Sequence, residues 1–141
     1  MFIILYIKDK KATWMATKDT EIKFQYTFDL RVGQDSLFLG LDSFLSKSKL
    51  KLKDFSGIIL AIEEASLTQV KVSTAMLNAL AWNFGWPIVG EYYFTADFDK
   101  ILAKLLKKIS KLKEFEPLEV KYKRKADITI SKKKPKFKLK K

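Results

Sequence analysis

The 141-residue chain has no cysteine and no histidine, and only five glycines and three prolines. Without cysteine there are no disulfides, no zinc–thiolate sites and no cysteine nucleophile. Without histidine every triad that relies on imidazole is excluded. The lack of cysteine fits a cytoplasmic protein, which is the localisation expected here. Long hydrophobic runs are also missing. The longest, such as "FIILYI", are strand-length, far short of the roughly 20 residues of a spanning helix. The N-terminus is apolar first and basic second, the reverse of a signal peptide, so it is read as a strand.

Hydrophobic residues are plentiful, at 48%, enough for the core of one domain. Charge is unevenly spread. Residues 1–99 carry 11 basic and 12 acidic residues, a net −1; residues 100–141 carry 17 and 4, a net +13. The end, "SKKKPKFKLKK", has no regular apolar face and is expected to be a disordered basic tail. Such a run attracts phosphates through counterion release. "KYKRK" adds an aromatic among cations, which suits stacking with phosphate contact. The candidate nucleic-acid residues are Lys123, Arg124, Lys125, Lys132, Lys133, Lys134, Lys136 and Lys138. The bland alternative is a solubilising tail.

Periodicity sets out the elements. Residues 2–7 form a buried strand. Residues 12–17 are β-branched and aromatic. Residues 21–28 alternate, with Ile22, Phe24, Tyr26 and Phe28 on one face. These predict three antiparallel strands. Leu37, Phe38, Leu41, Phe44 and Leu45 then recur at helical spacing, with Asp35 or Ser36 available as a cap. Residues 57–62 read as a buried strand. Residues 66–84 read as a helix capped by Ser66 and stopped by "GWP". "PIVGEYYF" reads as a strand, residues 97–113 as an amphipathic helix, and residues 117–123 as a short final strand. The aromatics Trp82, Phe84 and Trp86 are expected in the core, with an interface role as the alternative.

The order βββ-α-β-α-β-α is that of a ribonuclease-H-like half, the unit that actin-like ATPase domains duplicate. It implies an α/β fold with a mixed sheet of about five strands and helices packed on it. The organisation expected is such a domain over 1–94, a residual C-terminal helix and strand over 95–130 in place of a second half, and the basic tail over 131–141.

The stretch "EEASLTQVK", then "VSTAMLNALA", then "WNFGWPIVGEYY" resembles the TsaB (YeaZ) family. That family has a loop G-P-G-S-F-T-G-L-R, a helix I-G-x-A-x-A-K-G-L-A and then G-x-P-x-V-G-V-S. Ser66, Thr68, Ala75, Leu80, Ala81, Gly85, Pro87, Val89 and Gly90 match, and Lys71 replaces an arginine. The stretch "EPLEVKYKRKADIT" is similar to the family's closing P-x-Y-L-R-P-x-x-A-x. Glu63, Ala65 and Gln69 stand at the three loop glycines and Glu64 at the proline, while "KDKK" occupies the turn of the D-T-S phosphate motif. The chain thus looks like a degenerate, shortened relative.

The resemblance implies a non-catalytic partner subunit in making threonylcarbamoyladenosine on transfer RNA. Its first two helices would pack on the catalytic paralogue, TsaD, or on a second copy as a homodimer. The residues expected at that contact are Leu37, Phe38, Leu41, Phe44 and Leu45 of helix 35–48, and Val70, Thr74 and Leu77 of helix 67–84. No cofactor is expected. A phosphate at a helix N-terminus needs glycine for close approach, and Glu63 and Glu64 put negative charge there, where it would serve the helix dipole. Catalysis is not expected. The two glutamates are adjacent and point apart, Asp97 and Asp99 start a helix, and no metal-ligand spacing appears. A stand-alone nucleic-acid-binding module remains the alternative.

Overall fold

In the computed structural model, residues 1–30 and 36–121 are described. Three strands open the chain: β1 (Phe2–Lys8), β2 (Lys11–Lys18) and β3 (Glu21–Asp29). There follow α1 (Ser36–Ser48), a 3-10 turn, β4 (Ile58–Glu64), α2 (Leu67–Phe84), β5 (Ile88–Tyr92) and α3 (Phe98–Ser110). The sheet order is β3-β2-β1-β4-β5. β1 pairs antiparallel with β2, and β2 with β3; β1 pairs parallel with β4, and β4 with β5. The expected mixed five-stranded sheet is therefore present.

β1 lies at the centre, and its unbroken apolar run is explained by burial on both faces. Ile3, Leu5 and Ile7 point to one side, with Trp14, Leu60 and Ile62, under Leu41 and Phe44 of α1 and Val70 and Leu77 of α2. Ile4 points to the other side, with Met15, Ile59 and Val89, under Leu102, Leu105 and Ile109 of α3. The helix assigned to a residual C-terminal part thus covers the second face of the same sheet. Among the described residues no helix is long and apolar enough to cross a membrane.

Local chemistry fixes the ends of the elements. Ser66 and Gln69 form a capping box: Gln69 N–H donates to Ser66 Oγ at 3.2 Å and Ser66 N–H to Gln69 Oε1 at 3.0 Å. Gly85, at φ 70°, ends α2 in a left-handed turn, and Trp86 N–H reaches back to Ala81 O at 2.8 Å. α1 approaches β3 closely at Gly40, where a Cβ would lie 2.4 Å from the Phe28 ring.

Several boundaries differ from the sequence reading. β4 runs on through Glu63 and Glu64, so the glutamates close a strand and do not sit in the loop. Tyr93, at φ 53°, ends β5 early. Ser36 is the first residue of α1 and not its cap; Asp35 lies outside the described residues. Residues 117–121 belong to no strand, and 122–123 lie outside the described residues. A register shift between Ala16 and Thr17 leaves Lys23 as an extra residue in β3. Ile22 then faces Thr17 and the α3 side, and parts from Phe24, Tyr26 and Phe28.

Candidate functional site

In open α/β sheets, ligands bind beyond the carboxyl ends of the parallel strands. Here those ends belong to β1, β4 and β5, and Tyr6, Lys8 and Glu63 there are engaged with one another. Tyr6 Oη donates to Glu63 Oε1 at 2.6 Å, and Lys8 Nζ lies 3.2 Å from Glu63 Oε2. The Tyr6 ring packs against Phe98, with centroids 4.4 Å apart. Burial, and then the hydrogen bond to Glu63, push the Tyr6 hydroxyl well above the usual phenol range. The Tyr6 hydrogen bond, helped by Lys8 and opposed by burial, holds the Glu63 carboxyl below the usual carboxylate range.

The backbone is equally occupied. The β1–β2 turn is Asp9–Lys10, with Asp9 at φ 59°, and Asp9 N–H donates to Glu64 O at 2.6 Å. At the start of α2 the capping box satisfies N–H groups that a phosphate would use. Gln69 stands at a glycine position of the resembled loop, and its side chain completes that box. The expectation that Glu63 serves the dipole of α2 is corrected: its oxygens turn to β1, because neighbouring residues of a strand alternate in direction. Among the described residues no three Asp or Glu side chains gather as a metal site.

The outward face of α1 and α2 has the opposite character. Phe38 is 54% exposed and Leu39 62%; Val72 is 54% exposed and Trp82 70%. Ala75 and Ala79, both exposed, lie between Val72 and Trp82 on the same stripe of α2. This corrects most of the predicted contact residues. Leu37, Leu41, Phe44, Val70, Thr74 and Leu77 are all buried within the fold. Leu45 is partly buried against the same core, and only Phe38 is exposed. The apolar stripe read from the sequence was the one that faces the sheet. Trp82 was expected in the core. In the structure only Trp86 of the three aromatics is in the core; Trp82 is exposed, and so is Phe84, which stacks on Trp86 at 4.5 Å. The spacing of Val72, Ala75, Ala79 and Trp82, alternating three and four residues, carries the signal.

On the opposite side of the sheet, α3 exposes Lys100, Lys104, Lys107 and Lys108, with Lys104 near Glu91 at 3.3 Å. Beside it, a groove of about 890 Å³ runs between α3 and the β2–β3 turn, floored by Phe2, Ile22, Leu102 and Leu106. The predicted nucleic-acid residues, Lys123, Arg124, Lys125, Lys132, Lys133, Lys134, Lys136 and Lys138, lie outside the described residues.

No protein-family model matches the chain, and no curated protein matches it. Solved structures do match. One is YeaZ from Pseudomonas aeruginosa, with a TM-score of 0.56 and 12% identity over 64% of this chain and 43% of that one. Another is an uncharacterized protein with similarity to peptidase YEAZ, from the same organism, also at 0.56 and 12%, over 64% of this chain and 42% of that one. The chain spans less than half the length of either. Together with the strand order, these matches define the fold class as an α/β domain of the ribonuclease-H-like, actin-like ATPase type. Within that class the likeness is to YeaZ (TsaB), at the level of fold.

Proposed function

We propose that this chain is a non-catalytic scaffold subunit of the TsaB type. It associates with a TsaD-like protein in the threonylcarbamoyladenosine modification of transfer RNA. The observation that carries this reading is the exposed apolar stripe of α2 with Val72 and Trp82, on the side of the sheet where α1 exposes Phe38 and Leu39. Exposed apolar groups clustered on one face mark a contact surface. Tryptophan at such a surface is a typical anchor, and the small Ala75 and Ala79 leave room for a facing helix. The same face would serve a homodimer. Support also comes from the likeness to YeaZ and from the self-engaged Tyr6–Glu63–Lys8 group, which leaves the sheet end to structure.

The test mixes the full chain with a TsaD-like protein and follows the complex by size-exclusion chromatography with light scattering. A complex that Trp82→Glu abolishes, with the circular dichroism spectrum retained, supports the reading. Absence of any complex at micromolar concentrations overturns it.

A second reading, a stand-alone nucleic-acid-binding module, is favoured by the exposed lysines of α3 and the net +13 of residues 100–141. These lysines lie across the sheet from α1 and α2, so both activities can coexist. Cations on one side and an apolar face on the other suit a subunit that helps hold tRNA against its partner.

A further inference from the structure

α3 has two different sides besides the one it buries. Lys100, Lys104, Lys107 and Lys111 recur at steps of four, three and four residues, so they form one row along its solvent ridge. Lys104 lies near Glu91, whereas Lys100, Lys107 and Lys111 have no ion pair among the described residues. Beside the row runs the groove of about 890 Å³, and Lys107 belongs to both. The opposite wall is the β2–β3 turn with Lys18, which is exposed and also has no ion pair among the described residues. The apolar floor of Phe2, Ile22, Leu102 and Leu106 therefore lies between two cations. Two carboxylates line the groove as well, Asp19 of the β2–β3 turn and Asp99 in the first turn of α3.

We propose that this groove holds an unpaired base of a single-stranded RNA segment, with the flanking phosphates on Lys18 and on the lysine row of α3. Such an occupant rests on the nucleic-acid reading above and narrows it to one place and one form of nucleic acid. A single strand matches each feature of the groove. Its phosphates meet lysines on both rims. An unstacked base has two apolar faces, which suit a floor that holds one ring, Phe2, among aliphatic groups. The amino group of cytosine, adenine or guanine donates to a carboxylate, as cytosine N4 does to Asp and Glu in base recognition. Asp19 and Asp99 supply such acceptors, and uracil has no amino group to offer them. A duplex keeps its bases stacked inside and would reach the lysine row alone. An anionic membrane also attracts lysines, but an interfacial helix needs its apolar face free to insert. That face of α3 covers the sheet, with Leu105 and Ile109 buried.

Fluorescence anisotropy of the full chain with labelled oligo(C) RNA of about ten nucleotides, over a salt series, tests the proposal. Oligo(C) should bind about tenfold more tightly than oligo(U). Ala103 is exposed on the groove side of α3, so Ala103→Trp fills the groove and keeps every charge. It should weaken oligo(C) binding about tenfold, the loss of one stacked base, and leave binding of an RNA duplex unchanged. Lys18→Ala and Lys107→Ala, both at exposed positions, should each flatten the slope of log affinity against log salt by about 0.7, the value for a single strand. If the chain binds neither strand nor duplex, the nucleic-acid reading falls and the groove assignment falls with it. If it binds both, and Ala103→Trp with its circular dichroism spectrum retained changes neither, the reading stands and the groove assignment is overturned. Salt slopes unmoved by both lysine changes overturn it too, as does equal affinity for oligo(U). So does capture by phosphatidylserine vesicles that oligo(C) does not compete away.

Discussion

Asn78 on α2 holds Leu118 by both its backbone groups: Leu118 N–H donates to Asn78 Oδ1 at 2.8 Å and Asn78 Nδ2 donates to Leu118 O at 2.9 Å. After α3 the chain leaves one face of the sheet and crosses to the other. There Phe115, Leu118 and Val120 pack on the core beneath α1 and α2. Asn78→Ala leaves two backbone groups of a partly buried segment without these partners. The expected loss is about 1–3 kcal/mol. Urea unfolding measures it, and hydrogen exchange at Leu118 should accelerate before any other amide of the core.

Gly90 of β5 lies directly under Leu118. A Cβ there would come 2.9 Å from Leu118 Cδ1 and 3.0 Å from Leu60 O. Gly90→Ala should destabilise the fold even though alanine costs less chain entropy than glycine. Because both changes act on Leu118, Asn78→Ala and Gly90→Ala together should cost less than the sum of the two, read by a double-mutant cycle.

The Tyr6–Glu63 pair makes stability depend on pH at both ends. The Glu63 carboxyl is lowered from 4.5 in the folded protein, so its contribution is present above that value and is lost as pH falls through the folded pKa. The Tyr6 hydroxyl is raised from 10.0, so its contribution is present below that value and is lost as pH rises through the higher folded pKa. Tyr6→Phe should shrink both losses; the Tyr92 and Tyr93 hydroxyls, also raised by burial, keep part of the alkaline one. Urea midpoints measured across pH check both. Unchanged alkaline behaviour in Tyr6→Phe would contradict the assignment.

Much of this fold was legible in the sequence. The unbroken run at 2–7 announced a central strand, and the lysine-faced stripe of α3 announced a surface helix. Faces were harder to read. The stripe Leu37, Leu41 and Phe44 signalled burial, but a stripe does not state whether a sheet or a partner covers it. The bulge at Lys23 was hidden because Ile22 and Phe24 keep perfect alternation in the sequence. Glu63 looked like a loop residue because nothing local reveals a tyrosine 57 positions earlier that accepts its company in the folded sheet. The role of Gln69 is hidden for a different reason: at a position where the resembled loop has glycine, it signals a lost glycine more loudly than half of a capping box.

Deleting residues 131–141 removes seven lysines. If these contact phosphates, tRNA affinity falls, and the slope of log affinity against log salt flattens by about 0.9 for each lost duplex contact. Filter binding over a salt series reads it, and an unchanged slope assigns the cationic role elsewhere, with the exposed lysines of α3 as the next candidates.

The most direct test of the central claim compares Trp82→Glu with Leu41→Glu in the full chain, mixed with a TsaD-like protein and run on size-exclusion chromatography with light scattering. Leu41 is buried against the sheet, so a carboxylate there should unfold the chain. Trp82 is 70% exposed, so its replacement should leave the fold intact and the complex absent. The account predicts a folded, unpartnered Trp82→Glu protein beside an unfolded Leu41→Glu protein. A folded Trp82→Glu variant that still captures the partner would contradict it.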